Sequence, residues 1–459
     1  MNQDRELALT QPMGKLFLRM AIPGIIGTVV MGLYNFVDAI FLGQFVGPAA
    51  VGAVGLLYVL VIMNQAILVI MGSGSGAVLS VAMGQKDHET VGRLLGNLIP
   101  ITFLASTAFA LCLYLCAPGV VKFLGGNGAL LQMAVAYLRI LVFGMPFMAT
   151  GAAMNMLLRG EGKMRTAMMI ASGSFLLNIA LDPILIAWAG WGIKGAAWAT
   201  VIAQIVYFLW QILFHWFGET QLRLVPEKIT ISTRLTTRVM KSGTPAMLMQ
   251  LMSVIQMGVL YKVLAHAGGT DHLALMTSGM RCYMLVFFII FGIAYGMQPV
   301  VGMNFGAGNY GRVLLAWKYF TAVSVLITLG FWILFMTYTH LIVSWFISDP
   351  ALAQMGVPYF RILNFPLPFM GAIPTTMMFF IAIERPKPAG KLAIARQVVL
   401  FVPLVMLFYY LMQVKGVWLS MPVTDVLTAL MGLLMILKEF VKLSKAKSPA
   451  NFENKAQAP

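Results

Sequence analysis

Polar side chains are scarce in this chain of 459 residues: 10% are charged against 60% hydrophobic, and acids are rarest, with 15 Asp and Glu beside 31 Lys and Arg. A water-soluble domain of this size would have too few polar groups to cover its surface, so a soluble globular fold is excluded and lipid must be the solvent. Barrel strands of about ten residues with period-two alternation are missing as well, which excludes a transmembrane barrel. Cysteine is nearly absent. Cys112, Cys116 and Cys282 all fall in apolar runs, where each is expected as a small buried hydrophobe and none as half of a structural disulfide. No Walker motif occurs, which removes ATP as the evident energy source. The five histidines, His88, His215, His266, His272 and His340, fall mostly at loops or helix ends and lack metal-ligand spacing. FGAGNYGR (305–312) contains a literal G-x-G-x-x-G, but it follows a membrane run instead of a strand and is not read as a nucleotide site.

What the chain does have is long apolar runs, each sufficient to cross roughly 30 Å of hydrocarbon as a helix. They divide into spans near 16–43, 50–82, 92–117, 130–158, 166–188 and 193–217, then 243–265, 272–303, 312–338, 351–382, 389–413 and 416–440. The formal charge of +16 is distributed as topology rather than as a nucleic-acid footprint. With the N-terminus inside, the cytoplasmic segments hold Arg5, Lys15, Arg19, Lys86, Arg93, Arg159, Lys163, Arg165, Arg223, Lys228, Arg234, Arg238 and Lys241. Arg312, Lys318, Arg385, Lys387, Lys391, Arg396 and the lysines from Lys438 to Lys455 continue the series, while the outer connections carry little beyond Lys122, Lys194 and Lys415. Both termini are therefore expected in the cytoplasm. The start, MNQDRELALTQPMGK, leads into a run too long for a secretory signal, so no cleaved peptide is expected.

Shifted by about 220 residues the chain matches itself, the signature of an internal repeat. VAYLRILVFGMPFM (135–148) falls on VPYFRILNFPLPFM (357–370), Pro23 on Pro245, and Gly72 and Gly76 near Gly292 and Gly296. An even number of spans in each half makes the copies direct repeats related by an axis along the membrane normal, with a central cavity expected between two lobes. The organisation anticipated is an N-lobe over 1–217, a basic linker over 218–242, a C-lobe over 243–440 and a cytoplasmic tail over 441–459. Prolines 23, 146, 183, 245, 299, 366, 368 and 374 sit inside the runs as static kinks or hinges, and the patch MGSGSGAV (71–78) suits close helix packing.

Three acids lie deep inside spans, Asp38, Asp182 and Asp425, and a carboxyl in hydrocarbon requires a partner or a function. Tyr34 lies one turn before Asp38, and Asn178 one turn before Asp182, beside Pro183. If these faces meet, one pocket holds two carboxyls able to exchange a proton; the other interpretation is a fixed hydrogen-bonded pair that orients helices. Asp425 stands alone in SMPVTDVLTAL, either as a counter-charge for a cationic substrate or as a plain polar contact. Lys262 and Arg281 lie nearer span ends, where long cations snorkel, with a cavity role open for Arg281. The 35 methionines and 12% aromatics supply adaptable surface for apolar or cationic ligands.

At LLNIALDPILI followed by GIKGAAWATVIAQ, and over the whole length from AIPGIIG onward, the sequence resembles the multidrug and toxic compound extrusion family, within it the DinF-like branch. The resemblance implies an all-α, twelve-helix fold of two six-helix lobes in a V, exporting organic cations or amphipathic drugs against H+ or Na+. It implies coupling through Asp38 with Tyr34, a bend at Pro23, and Tyr137, Asn155, Asn178, Asp182 and Thr200 as the other polar positions of the N-lobe site. Acids that other branches carry in the seventh and tenth helices are replaced here by Gln256 and by no membrane acid, so a C-lobe sodium site is not expected; Gln256, Asp425 and Arg281 are assigned to the substrate cavity. A monomer in the bacterial inner membrane, without cofactor, nucleic-acid partner or enzymatic activity, follows. A flippase of lipid-linked or anionic substrates would need more cavity cations than Arg281; an intramembrane enzyme would have no use for the duplication; an ion channel would lack saturable counterflow.

Overall fold

Hydrocarbon offers no water to an unpaired N–H or C=O, so apolar runs of this length must close their hydrogen bonds within the segment, as helices. The computed structural model describes residues 3–225, 227, 229–347 and 349–446, and among these the regular structure is helical throughout. The expectations for Lys228 and for the tail beyond 446, including Lys447 and Lys455, lie outside the described residues. A short α1 (Gln3–Thr10) precedes α2 (Met13–Phe45), α3 (Pro48–Gln85), α4 (His88–Phe123), α5 (Gly128–Glu161), α6 (Met164–Pro183) and α7 (Gly192–Phe217). Then come α8 (Thr233–Gly306), α9 (Tyr310–Thr337), α10 (Thr339–Phe346), α11 (Pro350–Asn364), α12 (Leu367–Met370), α13 (Ile373–Ala382), α14 (Pro386–Ile394) and α15 (Phe401–Ala446).

Among the described residues, 10 helical stretches are long and apolar enough to cross a membrane, and two of them are double. The 74 residues of α8 would reach about 110 Å at 1.5 Å per residue, several times the hydrocarbon thickness. They are interrupted by Gly269, whose φ of 66° only glycine adopts freely. The stretch Pro386–Lys445 is likewise broken at Gln413, with φ 52°. Counted as pairs, these give the twelve spans anticipated.

Two local features depart from a uniform helix. The tenth span, expected as one rod over 351–382, is divided into α11, α12 and α13, because Pro366 and Pro368 cannot donate the amide hydrogen bonds that would join α11 to α12, nor Pro374 the one that would join α12 to α13. Pro183 likewise leaves the Ile179 carbonyl without its donor, and the chain widens into a π turn over Ile184–Trp188 that closes from Ala189 N to Ile184 O at 2.8 Å. A second π turn covers Ala395–Val399. Cysteine placement departs from the expectation: Cys282 is buried, but Cys112 and Cys116 lie on exposed positions of α4, a membrane span whose apolar surface lipid can cover as well as protein.

Contacts gather the chain into two compact units, one formed by Ile26–Leu251, the other by Met1–Ile25 with Met252–Pro459. Both boundaries fall inside helices, α2 and α8, and glycines explain why. A Cβ on Gly292 or Gly296 of α8 would strike the backbone of Gly24 and Ile25 or of Met20 and Ala21, so the first half of α2 packs backbone to backbone there. In the other unit, Gly74 of α3 meets Val239 and Gly243 from the first turns of α8. Gly160 rests on the backbone of Gly76, with the Ser80 hydroxyl 2.8 Å from both carbonyl oxygens. The MGSGSGAV patch is thus a packing surface.

Polar straps fix the connections. The Glu161 carboxylate accepts from Thr220 Oγ1 at 2.7 Å and from Gln221 N at 2.8 Å, while Asn97 Oδ1 accepts from Ser232 N at 2.8 Å. The 218–232 segment is thereby held at both ends within its unit. In the other unit Asn304 Nδ2 donates to Ala8 O at 2.9 Å and Arg312 to Gln11 O at 2.7 Å, so the FGAGNYGR region serves to tie down α1.

Candidate functional site

Within the unit formed by Ile26–Leu251, four helices bring polar groups to one apolar interior: Tyr34 and Asp38 from α2, Tyr137 from α5, Asn178 and Asp182 from α6, and Thr200 from α7. Asp182 is 0% exposed, Asn178 1%, Tyr137 4% and Thr200 6%, whereas Asp38 is half-buried. Asp38 and Asp182 are close enough to act on each other's charge, and both act on Tyr34 and Tyr137. The Tyr137 hydroxyl approaches Thr200, whose own hydroxyl donates to Ala196 O at 3.0 Å. Tyr34 lies flat on Phe175, centroids 5.0 Å apart and planes 7° apart, which fixes its ring one turn from Asp38. Tyr58 of α3, which the sequence did not single out, also acts on Tyr34.

Among the described residues, Asp38 Oδ1, both oxygens of Asp182 and both amide atoms of Asn178 are buried without a protein hydrogen bond. Each such group forfeits about 1–3 kcal/mol of solvation. Most buried polar atoms in proteins are paired, so five unpaired ones on two facing helix turns form a concentrated set of open donors and acceptors with the chemistry to take a cation or a proton. Asn155 is not part of that set. Its Nδ2 donates to Ala167 O at 2.8 Å and its Oδ1 accepts from Arg159 Nε at 3.0 Å, which makes it a clamp between α5 and α6. Pro23 is half-buried in an α2 that runs through it unbroken.

The other unit treats its acid differently. Asp425 does not stand alone: it is 0% exposed, its Oδ1 accepts from Arg396 Nε at 2.7 Å and its Oδ2 from the Tyr283 hydroxyl at 2.9 Å. Arg396 also donates to Tyr283 at 2.9 Å. Arg396, grouped by sequence with the cytoplasmic cations, is 6% exposed on the second π turn and neutralises Asp425 inside the protein. A signal was present, since Arg396 sits well inside the 389–413 run. Gln256 is buried with its Nε2 unpaired, and Arg281 is exposed.

Two helical units with a repeated sequence pattern, and buried acids gathered by membrane-crossing helices, define a polytopic transporter of duplicated design. The MatE family profile matches the chain twice, over residues 23–184 and 245–407, once in each half, and the chain belongs to that family. It is accordingly a multi-pass membrane transporter and not an enzyme. The FAD transporter of Shewanella oneidensis is 24% identical, over 93% of this chain and 94% of its own length. The multidrug export protein MepA of Staphylococcus aureus is also 24% identical with the same coverage. Among solved structures, a MATE transporter in complex with MaD3S superposes with a TM-score of 0.92 at 25% identity, covering 97% of this chain and 100% of that one. The outward-facing conformation of a multidrug resistance MATE family transporter of the MOP superfamily gives 0.90 at 26% identity, covering 97% and 99%.

Proposed function

We propose that this protein is a secondary active exporter of organic cations or amphipathic drugs, exchanging them for H+ at Asp38 and Asp182. The observation that carries this reading is the pair of mutually interacting carboxyls with unpaired oxygens, Asp38 Oδ1 and Asp182 Oδ1 and Oδ2, beside an equally unpaired Asn178 amide. Two neighbouring acids in low dielectric resist ionising together, so the charge that the pair carries is linked to whatever else binds beside it. Protonation neutralises the pocket and deprotonation restores a negative site; drug and proton then compete for one charge state, which links their fluxes provided each favours a different conformation. Tyr34, Tyr137 and Thr200 supply hydroxyls around the pair, and Pro23 serves as the hinge of α2. The working lobes are 1–217 and 243–440 joined through 218–242, acting as a monomer in the plasma membrane with both termini in the cytoplasm. The multidrug relatives support the substrate class.

A second substrate class is suggested by the relative described as an FAD transporter, which handles an anionic dinucleotide. Against it, the buried guanidinium of Arg396 is already engaged by Asp425. The test is ethidium uptake into proteoliposomes under imposed pH or sodium gradients, with FAD as competitor, for wild type and Asp38→Asn. Uptake driven by the pH gradient, lost in Asp38→Asn and indifferent to FAD, is the expected result. Driving by sodium alone would replace the ion, inhibition by FAD would replace the substrate, and undiminished transport by Asp38→Asn would remove the coupling site.

A further inference from the structure

One face of α7 carries a line of polar side chains that the coupling pair leaves unexplained. Thr200, Gln204, Tyr207, Gln211 and His215 recur at steps of four, three, four and four, which stacks them on one side of a helix. At 1.5 Å per residue the line is about 22 Å long, more than half of a 30 Å hydrocarbon core. On a solvated helix such a stripe would need no explanation. Here Tyr207 is 4% exposed and Gln211 and His215 are each 0% exposed.

The neighbouring helices make room for the line without satisfying it. A Cβ on Gly144 of α5 would collide with the Gln204 amide oxygen, and one on Gly151 would come within 3.3 Å of the Tyr207 ring. Among the described residues Gln204 Oε1, both amide atoms of Gln211 and His215 Nε2 are buried without a hydrogen bond. The Tyr207 hydroxyl approaches the Gln211 amide without closing a bond of good geometry. Residues that merely bind helices together would be paired with one another or with backbone. His215 Nδ1 lies 2.8 Å from Gln211 O; a carbonyl only accepts, so Nδ1 carries the proton and Nε2 of the neutral ring keeps a free lone pair.

The two ends of the line are defined. At one, Thr200, whose hydroxyl donates to Ala196 O at 3.0 Å, lies beside the Tyr137 hydroxyl, which senses Asp38 and Asp182, and Tyr207 packs on Phe175, centroids 6.2 Å apart, the ring that also carries Tyr34. At the other, Leu224 N donates to His215 O at 3.0 Å, where the 218–232 strap crosses the end of the unit. The charged groups nearby are Arg159, which acts on Tyr207, and Glu161, which holds the strap.

We infer that this face of α7 is the proton path between the Asp38–Asp182 pair and the surface beneath the 218–232 strap. Hydroxyl and imidazole groups hand the proton on, Gln204 and Gln211 orient bridging water, and His215 is the outermost relay. The inference rests on proton coupling at Asp38 and Asp182, and its test separates the two. Purified protein in weakly buffered detergent is mixed with ethidium, and proton release is followed by stopped flow with a pH dye. The amplitude reports the coupling pair and the rate reports the path.

In Gln211→Met and, independently, His215→Gln, the expected outcome is unchanged ethidium affinity and unchanged release amplitude, with the release rate lowered on the order of a hundredfold. Two variants guard against one that fails to fold, and retained ethidium binding identifies the folded ones. Wild-type rates in both overturn the path, while loss of amplitude in Asp38→Asn alone keeps the coupling pair. If wild type releases no proton, both inferences fail together.

Discussion

The two halves of this duplicated frame keep their buried acids in opposite ways. Asp182 and Asp425 are both wholly enclosed, yet among the described residues none engages either oxygen of Asp182, while Asp425 has one on Arg396 and the other on Tyr283. A buried charge that is paired and fully bonded is inert until a partner is removed; one that lacks partners is destabilising at rest and responsive to whatever binds. The repeat therefore fixes the scaffold but not the chemistry placed in it, and the halves have diverged into a pair of open acids and a closed clasp.

Breaking the clasp should give the largest effect. Arg396→Met strands Asp425 and is expected to cost about 3–5 kcal/mol in SDS unfolding, with most of it recovered in Arg396→Met/Asp425→Leu, where no charge remains. Asp182→Asn should do the reverse. Relieved of a carboxyl without partners, the protein gains about 1 kcal/mol in the same assay, while pH-driven ethidium uptake falls to the level of empty vesicles. A loss of stability comparable to that of Arg396→Met would mean that Asp182 is a structural acid, and the contrast between halves would disappear.

The smallest effect concerns a pair of helix starts at equal distances into the two matched stretches. Asp87, outside the membrane runs, caps α4 by accepting from Thr90 Oγ1 at 2.6 Å and Thr90 N at 3.0 Å, whereas Asn309 begins α9 without a side-chain cap bond. The Thr90 side chain, then its amide, hold the Asp87 carboxyl below its ordinary value. Because the folded value is the lower one, the stabilisation is complete above the unfolded carboxylate range near about 4 and disappears as pH falls through the folded value. Asp87→Ala should cost about 1 kcal/mol at neutral pH and nothing in stronger acid, and Asn309→Ala less at any pH.

Much of this was legible in the residues, and for identifiable reasons. Lengths of apolar runs bounded the twelve spans, because hydrocarbon thickness is a fixed ruler. The acids stood out because so few charged residues occur in the runs, and the structure brings Asp38 and Asp182 together. What sequence spacing could not supply was pairing across distant helices: the charge bias along the chain groups Arg396 with the cytoplasmic cations, whereas it meets Asp425 and Tyr283 from two other helices, and Asn155, named through the resemblance, is engaged by Arg159 and Ala167. The π turn after Pro183 was only half visible, since a proline announces a lost bond but not how the backbone will recover. The α7 line is invisible residue by residue; the step of three or four shows only when Thr200, Gln204, Tyr207, Gln211 and His215 are taken together.

The glycine contacts that divide α2 between the two units also impose an order on biogenesis. The backbone surface that receives Gly24 and Ile25 is provided by Gly292, and that for Met20 and Ala21 by Gly296, roughly 270 residues further along, about 15–50 s later at the usual pace of ribosomal synthesis. The first helix to enter the bilayer is therefore among the last to find its permanent neighbour, and until then its leading half must be sheltered by lipid or by the insertion machinery.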